Sequence, residues 1–371
     1  MHLTITRTAL LPPLADAVGA VEKRQTLPIL ANVLLRLDAT AETLILTGTD
    51  LETEIIARAP IETGGPDAAA AITVPAHRFK DLVQCLPEDA RLSLTLRDDK
   101  PQIKAGSARF SLSTLPADGF PAFDRAGLEA ASPFPADLLR SALATTAHAM
   151  ALQDVRYYLN GLCLYVAADR LHAIASDGHR LAHWEAAIPD YADTPQIIIP
   201  RKAVELLRRR LADADTAALA IGNKTLRLDL DEQSIATKLI EGRYPDYQRV
   251  WPRDIAYRYT VDRETLLAAC RRIGQVSNEK YKPLTFETAG ADITLKARTP
   301  EQHEGEDTVP ILECTSRETI STGFNATYLI DALDTLPGEH VTLSFPERQN
   351  ACLIESPDLP EAGIIVMPMR I

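Results

Sequence analysis

Three times in this sequence, 125 residues apart, an apolar run meets a helix-starting residue and turns into a helical pattern. Val74-Pro75 leads into residues 76–86, Ile197-Ile198-Ile199-Pro200 into 201–211, and Gly323-Phe324-Asn325 into 326–336. Proline and asparagine suit that position because the first amides of a helix have no intrahelical partner. Further markers keep the spacing. Ser113-Thr114-Leu115 with Phe120-Pro121 corresponds to Thr237-Lys238-Leu239-Ile240 with Tyr244-Pro245, 124 residues on. Thr47-Gly48-Thr49-Asp50 stands 127 residues before Ile174-Ala175-Ser176-Asp177, and Lys296-Ala297-Arg298-Thr299 takes that place in the last third. A fixed period of this kind means one folding unit used repeatedly. Three diverged copies are expected, over 1–124, 125–252 and 253–371.

Each copy opens with a second helical pattern. Residues 8–21 carry Leu10, Leu11, Leu14, Val18 and Val21 on one face, with Pro12 and Pro13 expected near the start, where proline is tolerated. Residues 137–150 carry Leu138, Leu139, Leu143 and Ala147, and residues 262–276 carry Leu266, Leu267, Cys270 and Ile273. Between helices lie alternating runs such as Leu92–Leu96, Leu226–Leu230 and Val341–Phe345, with turn chemistry at Asp98-Asp99 and Gly222-Asn223. Each copy reads as two helices packed on antiparallel sheet, an α+β domain.

The 371 residues contain no apolar run long enough to span a membrane, and the N-terminus lacks the pattern of a signal peptide. A cytoplasmic protein is expected. Cys85, Cys163, Cys270, Cys314 and Cys352 are scattered among apolar neighbours, which favours buried free thiols over a disulfide framework or a zinc site. No metal and no cofactor is expected.

Net charge is −12, unevenly spread: 12 basic and 16 acidic residues over 1–124, 15 and 16 over 125–252, 12 and 19 over 253–371. Such a balance argues against a protein that coats itself in nucleic acid. Cations nevertheless gather on or beside the helices: Lys23, Arg24, Arg78, Lys80, Arg140, Arg201, Lys202, Arg208–Arg210 and Arg271-Arg272. They form either solvated faces or one repeated basic surface toward phosphate.

Two stretches near the middle concentrate polar, aromatic and glycine residues: Gln153–Gly161 and Ser176-Asp177-Gly178-His179-Arg180-Leu181. A hydrolase using Ser176, Asp177 and His179 is disfavoured, because a nucleophile, base and orienter converge from separated segments rather than from one short loop. Asp177-Gly178 reads equally as a turn. No phosphate-cradling glycine motif is present. Arg156-Tyr157-Tyr158 reads two ways, as a nucleic-acid grip or as one core tyrosine beside one surface tyrosine. The chain ends in an apolar strand, Ile364–Met367, running on into Pro368-Met369-Arg370-Ile371.

Co-linear segments along the whole chain resemble the bacterial DNA polymerase III beta subunits, the sliding clamps. They are Thr26–Leu30, Leu46–Glu52, Arg109–Pro116, Gln153–Gly161, Ser176–Leu181, Ser277-Asn278-Glu279-Lys280 and Val366–Arg370. The resemblance implies three repeated clamp domains per chain in a head-to-tail dimeric ring, with helices lining a hole for duplex DNA. It implies a non-enzymatic processivity factor, or a paralogue of one with a self-resistance role. Its partners would be sequence-independent duplex DNA, a second copy of itself, replicative polymerase, clamp loader and other clamp-motif proteins, with no membrane.

Carried over by position, the DNA-facing set is Arg24, Gln153, Tyr157, Tyr158, Arg201 and Lys202; His77 stands where an arginine is common. The partner-peptide cleft takes Leu159, Ser176, Gly178, His179, Arg180, Leu181, Pro245, Arg249, Val250, Ile365, Val366, Met367, Pro368, Met369 and Arg370. Departures from the family pattern there are Ser176, Tyr244, Gln349, Ala351 and Ile371. The ring interface takes Lys104, Arg109 and Phe110 on one side and Val276, Glu301, Glu304, Glu306 and Asp307 on the other, with Gln275 replacing a larger apolar residue.

Overall fold

The computed structural model describes residues 2–38, 40–64, 71–97, 100–128, 130–212, 214–276, 282–316, 318–347 and 351–370. Asp98-Asp99, Ser277–Lys280, Gln349 and Ile371 lie outside them.

Six α-helices of more than one turn occur among the described residues, two per copy: α1 Arg7–Ala20, α2 Ala76–Gln84, α3 Ala136–Thr146, α4 Arg201–Leu211, α5 Arg263–Ile273 and α6 Ala326–Thr335. Their starts follow local chemistry. The side chains of Thr6, Asp262 and Asn325 accept the amides of Ala9, Thr265 and Thr327 at 3.2, 2.7 and 2.9 Å. Pro75 and Pro200 precede α2 and α4. Pro12 and Pro13 depart from expectation, for α1 begins at Arg7 and both prolines fall inside it. The helix survives because its buried face, with Leu10, Leu14, Ala17 and Val18, is anchored in the core.

Every strand pairing among the described residues is antiparallel. The chain divides into two compact units, residues 1–136 with 209–239 and residues 137–208 with 240–371. This division cuts the middle copy, and the sheets give the reason. In the first unit an eight-stranded sheet runs Ser132–Pro133, Ala218–Ile221, Thr225–Leu230, Gln233–Lys238, Thr53–Pro60, Thr43–Thr49, Asn32–Asp38, Ala71–Pro75. It joins the later strands of copy two to copy one. In the second unit a twelve-stranded sheet carries Arg180–Ala187 of copy two beside Ala362–Val366 of copy three.

Local packing follows the alternation read from sequence. In the first unit α1 and α2 lie against strands whose inward residues include Leu35, Leu37, Leu44 and Leu46. In the second, Phe286, Phe324, Phe345 and Tyr259 form an aromatic cluster with centroids 5.7–6.4 Å apart, a geometry that adds to the benefit of burying rings. Cys163, Cys270 and Cys352 are buried, as expected, but Cys85 and Cys314 are exposed. Apolar neighbours in sequence misled there: Cys85 ends α2 and Cys314 ends a long strand, Glu304–Cys314.

Candidate functional site

The loop Ser176–Arg180 is a self-contained turn. Ser176 Oγ donates to the Arg180 carbonyl at 2.8 Å and accepts the Gly178 amide at 3.1 Å. Asp177 Oδ1 accepts the amides of His179 and Arg180 at 2.8 and 3.0 Å. Gly178 has φ +87°, where side chains are disfavoured. The serine proton therefore rests on a backbone carbonyl and the carboxylate on backbone amides, which is turn chemistry rather than nucleophile activation.

Copy one repeats the device. Thr49 Oγ1 donates to the Thr53 carbonyl and accepts the Leu51 amide, and Asp50 Oδ1 accepts the amides of Glu52 and Thr53. Leu51 takes the position of Gly178, with φ +77°. Each turn introduces a strand that reaches into the next copy. Thr53 pairs with Thr237, and the Lys238 amide donates to the Glu52 carbonyl at 2.8 Å. Arg180 pairs with Val366, and the Met367 amide donates to the His179 carbonyl at 2.8 Å. Two junctions are thus built on one plan.

Their linings differ. In the first junction Glu54 stands opposite Ala236, is nine-tenths buried, and is held by Arg125. A buried carboxylate needs such a partner. In the second, Leu181 takes the place of Glu54, opposite Ile365. It belongs to an apolar cluster with Leu159, Ile174, Tyr244, Leu353 and Ile365, edged by half-buried Tyr158, Tyr247 and Met367. Arg249, 124 residues after Arg125, keeps 84 % of its side chain exposed, and Val250 is 49 % exposed. One junction is closed by an ion pair and the other offers an apolar floor with an open rim.

The expected cleft residues sort by depth. Leu159, Leu181, Ile365 and Val366 are buried in the floor. Ser176 and Arg180 are half-buried, Met367, Pro368 and Met369 form a half-buried edge, and Gly178, His179, Pro245, Arg249, Val250 and Arg370 are exposed. The Met369 amide donates to the Gly323 carbonyl at 2.9 Å, so the terminal segment is stitched to copy three. Ala351 and Tyr244 are buried in the floor, at 5 % and 4 % exposure. Arg180 is more committed than its sequence position suggests. Its Nε meets Asp177 at 3.1 Å, its Nη1 meets Asp331 on α6, and its guanidinium lies 4.5 Å from the Tyr328 ring centroid. Tyr247 and Trp251, spaced i, i+4 beside Pro245, were not singled out in the sequence; nor were Tyr328 and Asp331, one turn apart on α6.

The Arg156-Tyr157-Tyr158 alternatives resolve into a division. Tyr157 is 58 % exposed, while Tyr158 packs against the cleft floor, its ring edge-on to Tyr157 at 5.8 Å. Arg156 ties the two sequence stretches together, donating to the Asp177 carbonyl at 3.0 Å and pairing with Asp154. Hydrogen bonds from the Arg156 guanidinium and amide hold the Asp154 carboxyl down at about 2. Gln153 is exposed with φ +56°. Arg201 and Lys202 open α4 half-buried, Arg201 donating to the Met150 carbonyl at 2.8 Å and to Glu205 at 3.0 Å. Arg24, in the first unit, is exposed just after α1. His77 Nε2 lies 3.2 Å from the Val21 carbonyl.

Of the expected interface residues, Arg109 and Phe110 lie on a sheet edge, and Lys104 pairs with Arg109 from the next strand in. Lys104 is exposed, and Arg109 and Phe110 sit on the strand Ala108–Ser111, which ends the five-stranded sheet of the first unit. In the second unit Val276 packs over Gly305, and Glu301, Glu304 and Glu306 are exposed. Asp307 pairs with Arg272 at 2.7 Å and Glu304 with Arg298 at 2.9 Å, so part of this acidity is met within the chain.

Three family models cover the chain. Residues 1–124 match the DNA polymerase III beta subunit N-terminal domain, 134–246 its central domain, and 248–370 its C-terminal domain. The chain is 38 % identical over 374 residues to the beta sliding clamp of Pseudomonas putida and 36 % identical over 373 residues to that of Escherichia coli K12, covering all of each. Among solved structures, DNA polymerase III subunit beta from Pseudomonas aeruginosa matches over the full length of both chains with TM-score 0.91 at 37 % identity. A sliding clamp from that organism bound to griselimycin matches with TM-score 0.92, also at 37 % identity and full coverage.

Proposed function

The chain belongs to the bacterial DNA polymerase III beta subunit family, the beta sliding clamps, and we propose how its residues perform that work. It is a non-catalytic processivity factor of DNA replication. Two copies close head to tail into a ring around duplex DNA, three clamp domains from each, over 1–124, 125–252 and 253–371. The margin with Lys104, Arg109 and Phe110 meets the margin with Val276, Glu301, Glu304, Glu306 and Asp307, a heterologous contact that closes after two subunits. The protein works in the cytoplasm, where the replicating chromosome lies.

Arg24, Gln153, Tyr157, Tyr158, Arg201 and Lys202 face the DNA. Contacts to phosphate position a protein without reading sequence, so weak ones permit sliding. Retention then comes from topology rather than affinity, which reconciles DNA work with a net charge of −12. Polymerase, clamp loader and other partners dock short peptides at the second junction. The observation that carries this reading is the contrast between the twin junctions. Glu54 and Arg125 close the first, whereas Leu181, Ile365 and Leu353 make an apolar floor at the second. An apolar slot with a few orienting polar groups is what a peptide anchor needs.

The test is retention on DNA. Protein loaded on nicked circular DNA should stay bound at high salt and escape once the circle is cut. Equal loss from circular and linear DNA would overturn the topological reading.

A further inference from the structure

On the same face of the sheet as the apolar floor, farther along its strands from Leu181, three potential metal donors converge that neither DNA nor peptide binding employs. His183 and Glu185 sit two residues apart on the strand Arg180–Ala187, hence on one face. His172 stands directly opposite Glu185 on the strand Arg170–Ser176. One donor atom from each lies within 4.8 Å of the other two.

We propose that His172, His183 and Glu185 form a binding site for a divalent transition-metal ion of the zinc class. Three features support it. First, each imidazole has a ring nitrogen that makes no hydrogen bond. His172 Nδ1 and His183 Nε2 are buried without a hydrogen-bond partner, and His183 is only 7 % exposed. A buried imidazole nitrogen with no partner is costly, and a shared ion would satisfy both. Second, Glu185 is already oriented. Its Oε1 pairs with Arg170 at 3.0 Å, leaving Oε2 at 3.1 Å from His172 Nδ1 and 3.9 Å from His183 Nε2. Such outer partners fix a ligand carboxylate, although Arg170 also brings a positive charge close to the ion. The His172 ring is steadied by the Ala167 backbone. Third, a hollow of about 360 Å³ bordered by His183, Glu185, Tyr247, Trp251 and Arg253 gives entry and room for a water as fourth ligand.

Tetrahedral Zn²⁺ with bonds of about 2.0–2.1 Å sets its donors roughly 3.3 Å apart, so His172 and Glu185 already stand at ligand spacing and the closing movement falls on His183. The neighbouring rings allow this without a rebuilt core. Tyr165 stacks on His172 at 4.7 Å and Tyr247 on His183 at 4.6 Å, a column along which imidazoles can slide.

The experiment uses chelator-treated full-length protein carrying Cys85→Ser and Cys314→Ser, because both thiols are exposed and can take zinc on their own. Zn²⁺ alone is titrated against a chromophoric chelator, and Co²⁺ is used to read the ligand type. One equivalent per chain is expected, with a cobalt spectrum of nitrogen and oxygen ligands and a raised melting temperature. His172→Phe, which keeps the ring stack, and Glu185→Gln should each weaken binding at least tenfold while the metal-free melting temperature stays near that of the parent. Zinc uptake unchanged in both variants, or none by the parent at micromolar Zn²⁺, would overturn the site.

Discussion

Arg180 Nη1 lies 2.5 Å from an Asp331 carboxylate oxygen, joining the strand Arg180–Ala187 of copy two to α6 of copy three. The Arg180 side chain is 11 % exposed and Asp331 34 %. The arginine thus underpins the junction from below its apolar floor, with Tyr328 beneath its guanidinium. Removing either partner strands the other. Arg180→Ala and Asp331→Ala should each destabilise the protein by about 2 kcal/mol, less than for a fully buried pair because Asp331 is partly wet. The double variant should cost clearly less than the sum. Urea midpoints for the four proteins check this, and strict additivity would show that the pair is not coupled.

Peptide docking should depend on the terminal segment that edges the floor. A labelled pentapeptide with leucine and phenylalanine anchors should bind the full chain. Met367→Lys, which puts a charge on that edge, should weaken it at least tenfold, or about 1.4 kcal/mol. Deletion of Met367 to Ile371 should abolish binding. Undiminished affinity in the deletion, measured by fluorescence anisotropy, would move the peptide site elsewhere.

Gly48 belongs to the repeated turn segment and lets α1 approach its sheet. A Cβ there would stand 1.9 Å from the Ala17 carbonyl oxygen. Gly48→Ala should therefore cost about 3 kcal/mol through forced backbone displacement. Gly119→Ala, whose nearest neighbour would be a side-chain methyl at 3.4 Å, serves as the control. Equal urea midpoints for the two would contradict the close approach.

Acid should weaken the second unit through His183. Burial, with help from His172 and Arg170 and against Glu185, pulls this imidazole from 6.5 down to about 4. The folded value lies below the unfolded one, so the unfolded chain takes up the proton first. This contribution is intact above about pH 6.5 and is lost as the pH falls toward 4. Between pH 7 and 5 the loss amounts to about 2 kcal/mol. His183→Phe, compared with the parent in chelator, should lose that much less stability over the interval; identical pH profiles would show that His183 does not carry it.

Much of this architecture was legible in the sequence because local signals repeat. Pro75, Pro200 and Asn325 mark equivalent helix starts, and the Asp177 turn could be read from its residues alone. What escaped depends on contacts between distant segments. Nothing local to Thr53 or Arg180 says that it pairs with Thr237 or Val366, far along the chain, yet those pairings make the junctions. Asp331 is an ordinary helix acid until Arg180 arrives. His172 and His183 are eleven residues apart in sequence and meet only through strand register. The cysteines show the converse failure, for apolar neighbours describe a stretch and not which side of it faces water.

The mass of the protein in solution tests the ring most directly. Light scattering at micromolar concentration should give twice the 40.6 kDa chain mass, and Phe110→Asp on the proposed margin should halve it while leaving peptide binding intact. A stable monomer for the unaltered chain would contradict the ring, and with it the topological hold on DNA.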